Sequence, residues 1–432
     1  MRHDGGSLEY ATRVDLACWV APHTLKRSRR ASRAGDRNRN EERIAVETIG
    51  KTSGAGESIL RRLEVRRVVN ATGHRTVLGG SRMAESAVRA AVAISAEFVD
   101  MFELNAAVCR RLAELTGNEA ALVTNGAASG LMLAVVAAMA DDTVALERLP
   151  RRRPARHTVL IHRTHRTPLD RSIELAGAEI VEFGNAVETT CAHLEAALDE
   201  RTAAIVYVAD GYYRRGSLDL PTVIAAARRH GTPVIVDAAG ELPPPGNLTA
   251  FTRGHGADAA VFSGGKDLRG PQASGLLLGR AALIGTARQA AFPHTGIGRP
   301  MKVGKEELVG LLAAVEEYVT VDHEARARRS AEIIRGWAQR LADRPGVDCA
   351  IDADRAFHGL LIRLSSPVTA TAAEVRDQLM AGDPAIAVDF VQGISGLRVT
   401  AHLLTDAEAE LVINALERAL DENGPAAVEG DT

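Results

Sequence analysis

The stretch AAIVYVADGYYRRGSLDLPTVIAAARRHGTPVIVDAAG, residues 203–240, decides the fold class. An apolar β-branched run, Ala203 to Val208, gives way to a helix-like segment, Thr222 to His230, and then to a second run, Pro233 to Val236. Two buried strands separated by a helix imply a crossover connection, and a crossover makes parallel neighbours. The alternation extends upstream through Thr158 to His162 and Glu179 to Glu182, with Leu194 to Leu198 as a further helical piece. Downstream, Ala259 to Phe262 and Ser274 to Leu278 read as two strands joined by a short glycine-rich excursion. The expected class is α/β, a mainly parallel sheet covered by helices on both faces.

Outward from this core, Glu85 to Val99 reads as an Ala-rich helix and Asn105 to Thr116 as another, stopped at Gly117. Ala120 to Ala140 carries no charge and meets the crude length of a membrane span. Asn125, Gly126, Ser129 and Gly130 interrupt it, so it reads instead as a short strand or turn followed by a buried helix from near Ala127. After Lys305 a long helical stretch, Glu306 to about Ala342, leaves the sheet and stops before Pro345. The remainder has short strands (Gly359 to Leu364, Leu397 to Ala401) and helices (Ala372 to Met380, Asp406 to Leu420). The expected organisation is a basic N-terminal extension over 1–57, a large α/β domain over 58–305, and a linking helix with a small α+β domain over 306–432.

Composition narrows the function classes. The 432 residues are 46% hydrophobic and 25% charged with a formal net charge of -3, so neither a polyanion binder nor a disordered chain is implied. Only fifteen aromatic residues are available, too few for stacking platforms that read single-stranded nucleic acid or sugars. The cysteines, Cys18, Cys109, Cys191 and Cys349, show no C-x-x-C and no paired spacing, so no metal site or disulfide framework is expected. The start lacks an apolar segment followed by a cleavage site, and a cytoplasmic setting is the default. Between Thr24 and Arg43, eight Lys and Arg face three acidic residues, which reads as a loosely ordered basic arm. That arm is either an RNA contact or a solvated extension. The Walker-like Ala45 to Thr52 lacks its first glycine and a preceding strand.

Three segments carry chemistry. Ser263-Gly-Gly-Lys266-Asp places a lysine just past two glycines at the end of an apolar strand. Partial desolvation there lowers an amine pKa and makes it a nucleophile for a carbonyl; the alternative is a surface hairpin lysine. An S-x-x-K serine acyl-enzyme is set aside because S-D-N and K-T-G are both missing downstream. Asp237 ends a buried strand, where ligand crevices form in parallel sheets and a carboxylate can keep a heteroaromatic nitrogen protonated; the alternative is a helix N-cap. Thr124 to Gly130 is a strand end and glycine turn entering an apolar helix, a phosphate cradle or simply tight packing. In combination, a phosphate cradle, a ring-nitrogen acid and a Schiff-base lysine are the contacts that pyridoxal phosphate requires.

From about Ser58 to Leu420 the chain resembles the selenocysteine-synthase-like (SelA-like) group of fold-type I pyridoxal-phosphate enzymes, especially the branch with D-glucosaminate-6-phosphate ammonia-lyase. The segments that carry the resemblance are RRLEVRRVVNATGHRTVLGGSRM (61–83), ELTGNEAALVTNGAASG (114–130), VIVDAAGELPP (234–244), FSGGKDLRGPQASGLLLGR (262–280) and GIGRPMKVGKEELVGLLAA (296–314). The resemblance implies an aspartate-aminotransferase-like large domain, Lys266 as the Schiff-base lysine and Asp237 on the pyridine nitrogen. It further implies Asn125, Gly126, Ala127, Ala128 and Ser129 with Ser263 on the phosphate, and His165 over the ring face. Arg299 and Lys302 match basic positions near the substrate anion, set across a subunit interface of a homodimer or higher homo-oligomer. Arg398 sits where such enzymes anchor the α-carboxylate, and His74 and Arg75 lie toward the substrate side chain. One departure counts against tRNA-linked selenium transfer: where the synthases carry T-N-L-G-R, this chain has Thr76-Val-Leu-Gly79-Gly80, leaving Arg82 as the only substitute.

The expected activity is removal of the Cα proton of an amino acid or amino-sugar acid, then α,β-elimination to a 2-oxo acid and ammonia. The nearest rival is racemisation, which needs a second acid, with His165, Asp210 and Tyr212 as candidates. A non-catalytic RNA-contacting protein is the rival of another class. No metal is expected, no membrane association, and nucleic acid is ranked low as a partner.

Overall fold

The computed structural model describes residues 52–140, 146, 148–213, 216–353 and 357–424. The basic run 24–43, Cys18 and the Walker-like segment up to Lys51 lie outside the described residues. The chain divides into two units, Met1–Val65 and Arg66–Thr432. In the first, a helix, Thr52–Arg62, ends in a turn where the Leu63 and Val65 amides donate to the Ile59 and Leu60 carbonyls.

In the second unit a short strand β1 (Val68–Asn70) precedes the strands of a seven-stranded sheet. These are β2 (Ala120–Thr124), β3 (Thr158–His162), β4 (Glu179–Phe183), β5 (Thr202–Val208), β6 (Val234–Asp237), β7 (Ala259–Ser263) and β8 (Gly275–Gly279). Their spatial order is β2-β8-β7-β6-β5-β3-β4. Only β8 runs against its neighbours, so the sheet is mainly parallel, as the alternation of strand and helix patterns implied. Every residue of β3, β5 and β8 is buried, which is why their sequences are continuous apolar runs rather than alternating ones.

The uncharged run 120–140 is β2 followed by the helix Gly126–Met139. From Gly130 onward that helix is apolar on all sides because it is buried nearly throughout, not because it meets lipid. Among the described residues no helix is long and apolar enough to cross a membrane.

Two large apolar cores form among the described residues, beside a small cluster of Ala84, Ala87 and Ala314. The first surrounds the large sheet and includes Leu308, Leu311 and Val315 from the helix Lys305–Tyr318. The second is built on the four-stranded antiparallel sheet of β9 (Val347–Asp352), β10 (Gly359–Leu364), β12 (Asp389–Val391) and β13 (Gly396–Thr400), in the order β12-β13-β10-β9. Val69 and Ala71 belong to this second core, because β1 pairs in parallel with β11 (Ala385–Ala387). The helical stretch expected over 306–342 is two helices, Lys305–Tyr318 and His323–Leu341. The β-branched run Val319-Thr320-Val321 disfavours continuation, and the Asp322 carboxylate caps the second helix by accepting from the Ala325 amide at 2.8 Å.

One buried ion cluster ties the segment before the large sheet to the last helix, Asp406–Glu422. Glu408, only 6% exposed, accepts from Arg67 at 2.7 Å and from Arg82 at 2.5 and 3.0 Å. Arg82, the substitute considered for the missing synthase arginine, is therefore committed to a structural pair. Burial works to raise the Glu408 pKa, but the Arg82 guanidinium and the Thr405 amide outweigh it and hold the carboxyl at about 2. A depressed folded-state pKa contributes stability above the ordinary 4.5 that is lost as pH falls toward about 2. Glu408→Gln should cost about 2 kcal/mol in urea unfolding at neutral pH, with exposure of the arginines discounted. The gap to the parent chain should close through that acid window; a gap that stays constant would show that the ion cluster is not its cause.

Candidate active site

Parallel strands deliver their carboxyl ends to one edge, and the register shows what arrives there. Asp237 ends β6 opposite Val208 on β5 and Val261 on β7. Ser263 ends β7 opposite Gly275, which in turn faces Thr124 at the end of β2. Adjacent strand ends therefore bring together the carboxylate, the turn leading to Lys266 and the start of the helix Gly126–Met139. In a doubly wound sheet this edge is the ligand crevice.

Asp237 is enclosed by protein with only a small part of its surface accessible, and its Oδ1 accepts from the Ala239 amide at 3.1 Å. Burial pushes its carboxyl above the usual range, against the pull of that amide and of the Lys266 charge. Lys266 is partly buried. Its Nζ lies 3.7 Å, and Asp210 Oδ2 4.0 Å, from the point where a side chain on Gly240 would begin, so the missing Cβ leaves these groups their room.

The turn that carries Lys266 is held on several sides. Ser81 Oγ donates to the Lys266 carbonyl at 2.6 Å and to the Gly265 carbonyl at 3.1 Å. Gly80 approaches so closely that a Cβ there would sit 2.3 Å from the Gly265 oxygen, and one on Gly265 would sit 2.6 Å from Gln272 Cα. Only glycine permits such backbone contact. The next residue, Asp267, is 1% exposed and accepts from Arg326 at 2.7 and 3.2 Å and from the Tyr318 hydroxyl at 2.8 Å. Burial opposes ionisation of Asp267, yet the Arg326 guanidinium prevails and its pKa is lowered.

The anion cradle has matching geometry. Gly126 adopts a left-handed φ of 76°, which turns the chain from β2 straight into the helix, with open space where its Cβ would be. Residues Asn125 to Ser129 are partly buried or exposed, and the first-turn amides of a helix have no partner within it. A Cβ on Gly275 would meet Gly126 at 2.4 Å, so this strand residue has to be glycine for the cradle to close. Asn125 Nδ2 donates to the Lys302 carbonyl at 3.2 Å, tying the loop of Arg299 and Lys302 to the cradle. Both cations are exposed and lie over the Phe292 ring, at 5.0 Å for Arg299 and 5.9 Å for Lys302.

His165 is wholly buried; its Nδ1 accepts from the Val208 amide at 3.2 Å, and its ring packs between Tyr207 and His162. Its Nε2 is sealed without a partner, and burial, then His162, lowers its pKa to about 3. Arg398 is paired to Asp352 at 2.9 Å and Arg75 to Asp389 at 2.7 Å, so neither stands in the crevice as an unpaired cation. His74 lies 3.7 Å from Asp267 and packs on the ring of His402. The Tyr212 side chain lies outside the described residues. Sequence reasoning missed Ser81, Asp267, Arg326, Tyr318 and His402. Asp267 was adjacent to a recognised lysine, whereas Arg326 and His402 sit in no motif. Among the described residues no group of three or more His, Cys, Asp and Glu could hold a metal ion.

A cradle kept open by glycines, a buried carboxylate and a partly buried lysine at one sheet edge suit a phosphorylated pyridine aldehyde. Known proteins point the same way. The model of a family described as L-seryl-tRNA selenium transferase, SelA, matches residues 68–344. A 5'-C-glycyluridine monooxygenase-decarboxylase from a Streptomyces species is 35% identical over 87% of this chain and 95% of its own. The D-glucosaminate-6-phosphate ammonia lyase of Salmonella typhimurium is 30% identical over 76% of this chain and 88% of its own. A solved D-glucosaminate-6-phosphate ammonia-lyase superposes with a TM-score of 0.74 at 28% identity, covering 84% of this chain and 98% of that one. The chain thus belongs to the SelA family and is a fold-type I enzyme dependent on pyridoxal phosphate.

Proposed function

We propose that this enzyme removes the Cα proton of an amino acid or amino-sugar acid and expels a β-substituent, giving a 2-oxo acid and ammonia. The observation that carries the proposal is the convergence of Lys266, Asp237 and the Gly126 cradle at one sheet edge, on a chain similar to an ammonia-lyase. Bound pyridoxal phosphate supplies an electron sink for charge developing at Cα. The first-turn amides from Gly126 to Ser129, with Asn125 and the Ser263 hydroxyl, hold the phosphate. Asp237 keeps a proton on the ring nitrogen, for which its remaining carboxylate oxygen is available. Lys266 Nζ, once exchanged for the substrate amine, is the base for the Cα proton. Arg299 and Lys302 receive an anionic substrate group, in a homodimer or higher homo-oligomer. Arg398 would have to exchange Asp352 for the substrate carboxylate before anchoring it. His165 has no exposed surface, so a ring-covering role needs the crevice to open beside it.

A second reading is oxidative decarboxylation at Cα, favoured by the higher identity and longer coverage of the monooxygenase-decarboxylase. Racemisation gains no support from His165, which is sealed in the core. Incubation of the cofactor-loaded enzyme with D-glucosaminate 6-phosphate and with D- and L-serine should yield 2-oxo acid and ammonia in equal amounts. Oxygen consumption with release of carbon dioxide from glycyluridine would select the second reading. Failure of every substrate to give either outcome would reject both.

Two variants test the assigned groups. Lys266→Ala should lose the visible absorbance of the bound cofactor and reduce turnover by at least about 10³-fold. Gly275→Ala should leave a folded chain whose affinity for pyridoxal phosphate falls at least about tenfold, since its methyl group would push the cradle aside. Unchanged cofactor titration in Gly275→Ala would move the phosphate site elsewhere.

A further inference from the structure

One cluster of titratable side chains lies against the lysine turn without a role so far. His74 Nε2 is sealed from solvent, makes no hydrogen bond, and sits 3.7 Å from Asp267 Oδ1. Its Nδ1 makes no hydrogen bond either, yet is not sealed. The imidazole thus has one sealed nitrogen beside a carboxylate and a second nitrogen that is not sealed. Asp267 cannot drift away, because Arg326 and Tyr318 hold it. His402, sandwiched between His74 and Phe357 and stacked on Phe357 at 4.3 Å, walls off the other side. A carboxylate that takes the N–H of one ring nitrogen fixes the tautomer and leaves the other nitrogen as a proton acceptor. Such contacts are commonly long in an unliganded site and tighten around the substrate.

We propose that His74 is a second catalytic proton carrier of this site, oriented by Asp267 and acting through Nδ1 on the substrate. The proposal rests on the reading of the enzyme as an eliminating pyridoxal-phosphate enzyme. The substrate ammonium would give one proton to Nδ1, freeing the nitrogen lone pair to replace Lys266 Nζ on the cofactor's aldehyde carbon, with Lys266 leaving as the free amine. The imidazolium so formed lies beside the Asp267 carboxylate. When the β-hydroxyl departs with the electron pair of its carbon–oxygen bond, Nδ1 returns that proton, water leaves, and the imidazole is neutral again.

The groups facing His74 are Asp267 and Lys266 from the turn after β7, Arg326 from the helix His323–Leu341, and His402 after β13. On its own segment Arg75 is engaged with Asp389. Burial brings the His74 pKa down to about 4, against the pull of Asp267 and with help from Lys266 and Arg326. At neutral pH the ring is therefore unprotonated, and the neighbouring Asp267 carboxylate is what favours a proton on it.

The test compares the cofactor-loaded parent with His74→Gln and His74→Phe. Glycine, which carries nothing to eliminate, is the binding probe, followed by the change it causes in visible absorbance across pH. In the parent, glycine binding should weaken as pH falls toward about 4, where His74 takes up its own proton. Both variants should keep the cofactor absorbance and melting temperature, lose that acid dependence, and turn over the eliminated substrate about 10²-fold more slowly. An unchanged acid dependence with turnover within about threefold of the parent would overturn the proposal. So would loss of the cofactor from both variants, which would make His74 a structural part of the turn. A parent chain that never acquires cofactor absorbance would instead reject the functional reading beneath it.

Discussion

The buried carboxylate of Asp267 is the contact on which the rest of the site depends. It follows Lys266 directly, is almost fully excluded from water, and is matched by two donations from Arg326 and one from Tyr318. A charge in that position is tolerated only while its partners stay in place, and removing one partner of a buried pair typically costs about 3–5 kcal/mol. Arg326 belongs to a helix whose far end, through Ile334, Trp337 and Leu341, forms part of the second core. Tyr318 closes the helix that packs on the first. One carboxylate thus joins elements of both cores and sets the backbone from which the lysine projects.

Glycine contacts complete what the carboxylate begins. Gly80 and Gly265 let the segment around Ser81 and the turn at Gln272 close on the lysine turn, and Gly275 lets β8 pass under the cradle. Each is a place where two backbones approach more closely than any side chain would allow. The outcome is a strand edge with the Asp237 carboxylate at one place and the start of the helix Gly126–Met139, tied by Asn125 to the Lys302 carbonyl, at another. That separation suits a ligand with an anionic tail and a protonatable ring.

The related enzymes differ in the fate of the charge developed at Cα, one being by name an ammonia lyase and another a monooxygenase-decarboxylase. The groups that hold the cofactor serve either fate. Discrimination therefore falls to side chains around the rest of the substrate.

Much of this was legible in the chain itself. The strands of the large sheet, the lysine past its glycines, the carboxylate closing β6 and the glycine turn after β2 each lie within a short window, where apolar periodicity and glycine placement report local geometry directly. The parallel pairing of β1 with β11, the membership of Val69 in the second core, and the break at Val319 to Asp322 have no such local signature. Nor have the partners of the charged residues. The sequence displays the charges of Arg398 and Arg75 but hides their partners, Asp352 and Asp389. Asp267 and Arg326 stand 59 residues apart, and each is an ordinary polar residue until the fold buries them together. The class of sheet and the cofactor could be read from the chain alone, because local patterning and residue chemistry carry that information. Which charges are paired, which imidazoles are sealed and which nitrogen stays open became visible only in the folded molecule, because those properties arise from burial and from neighbours distant along the chain.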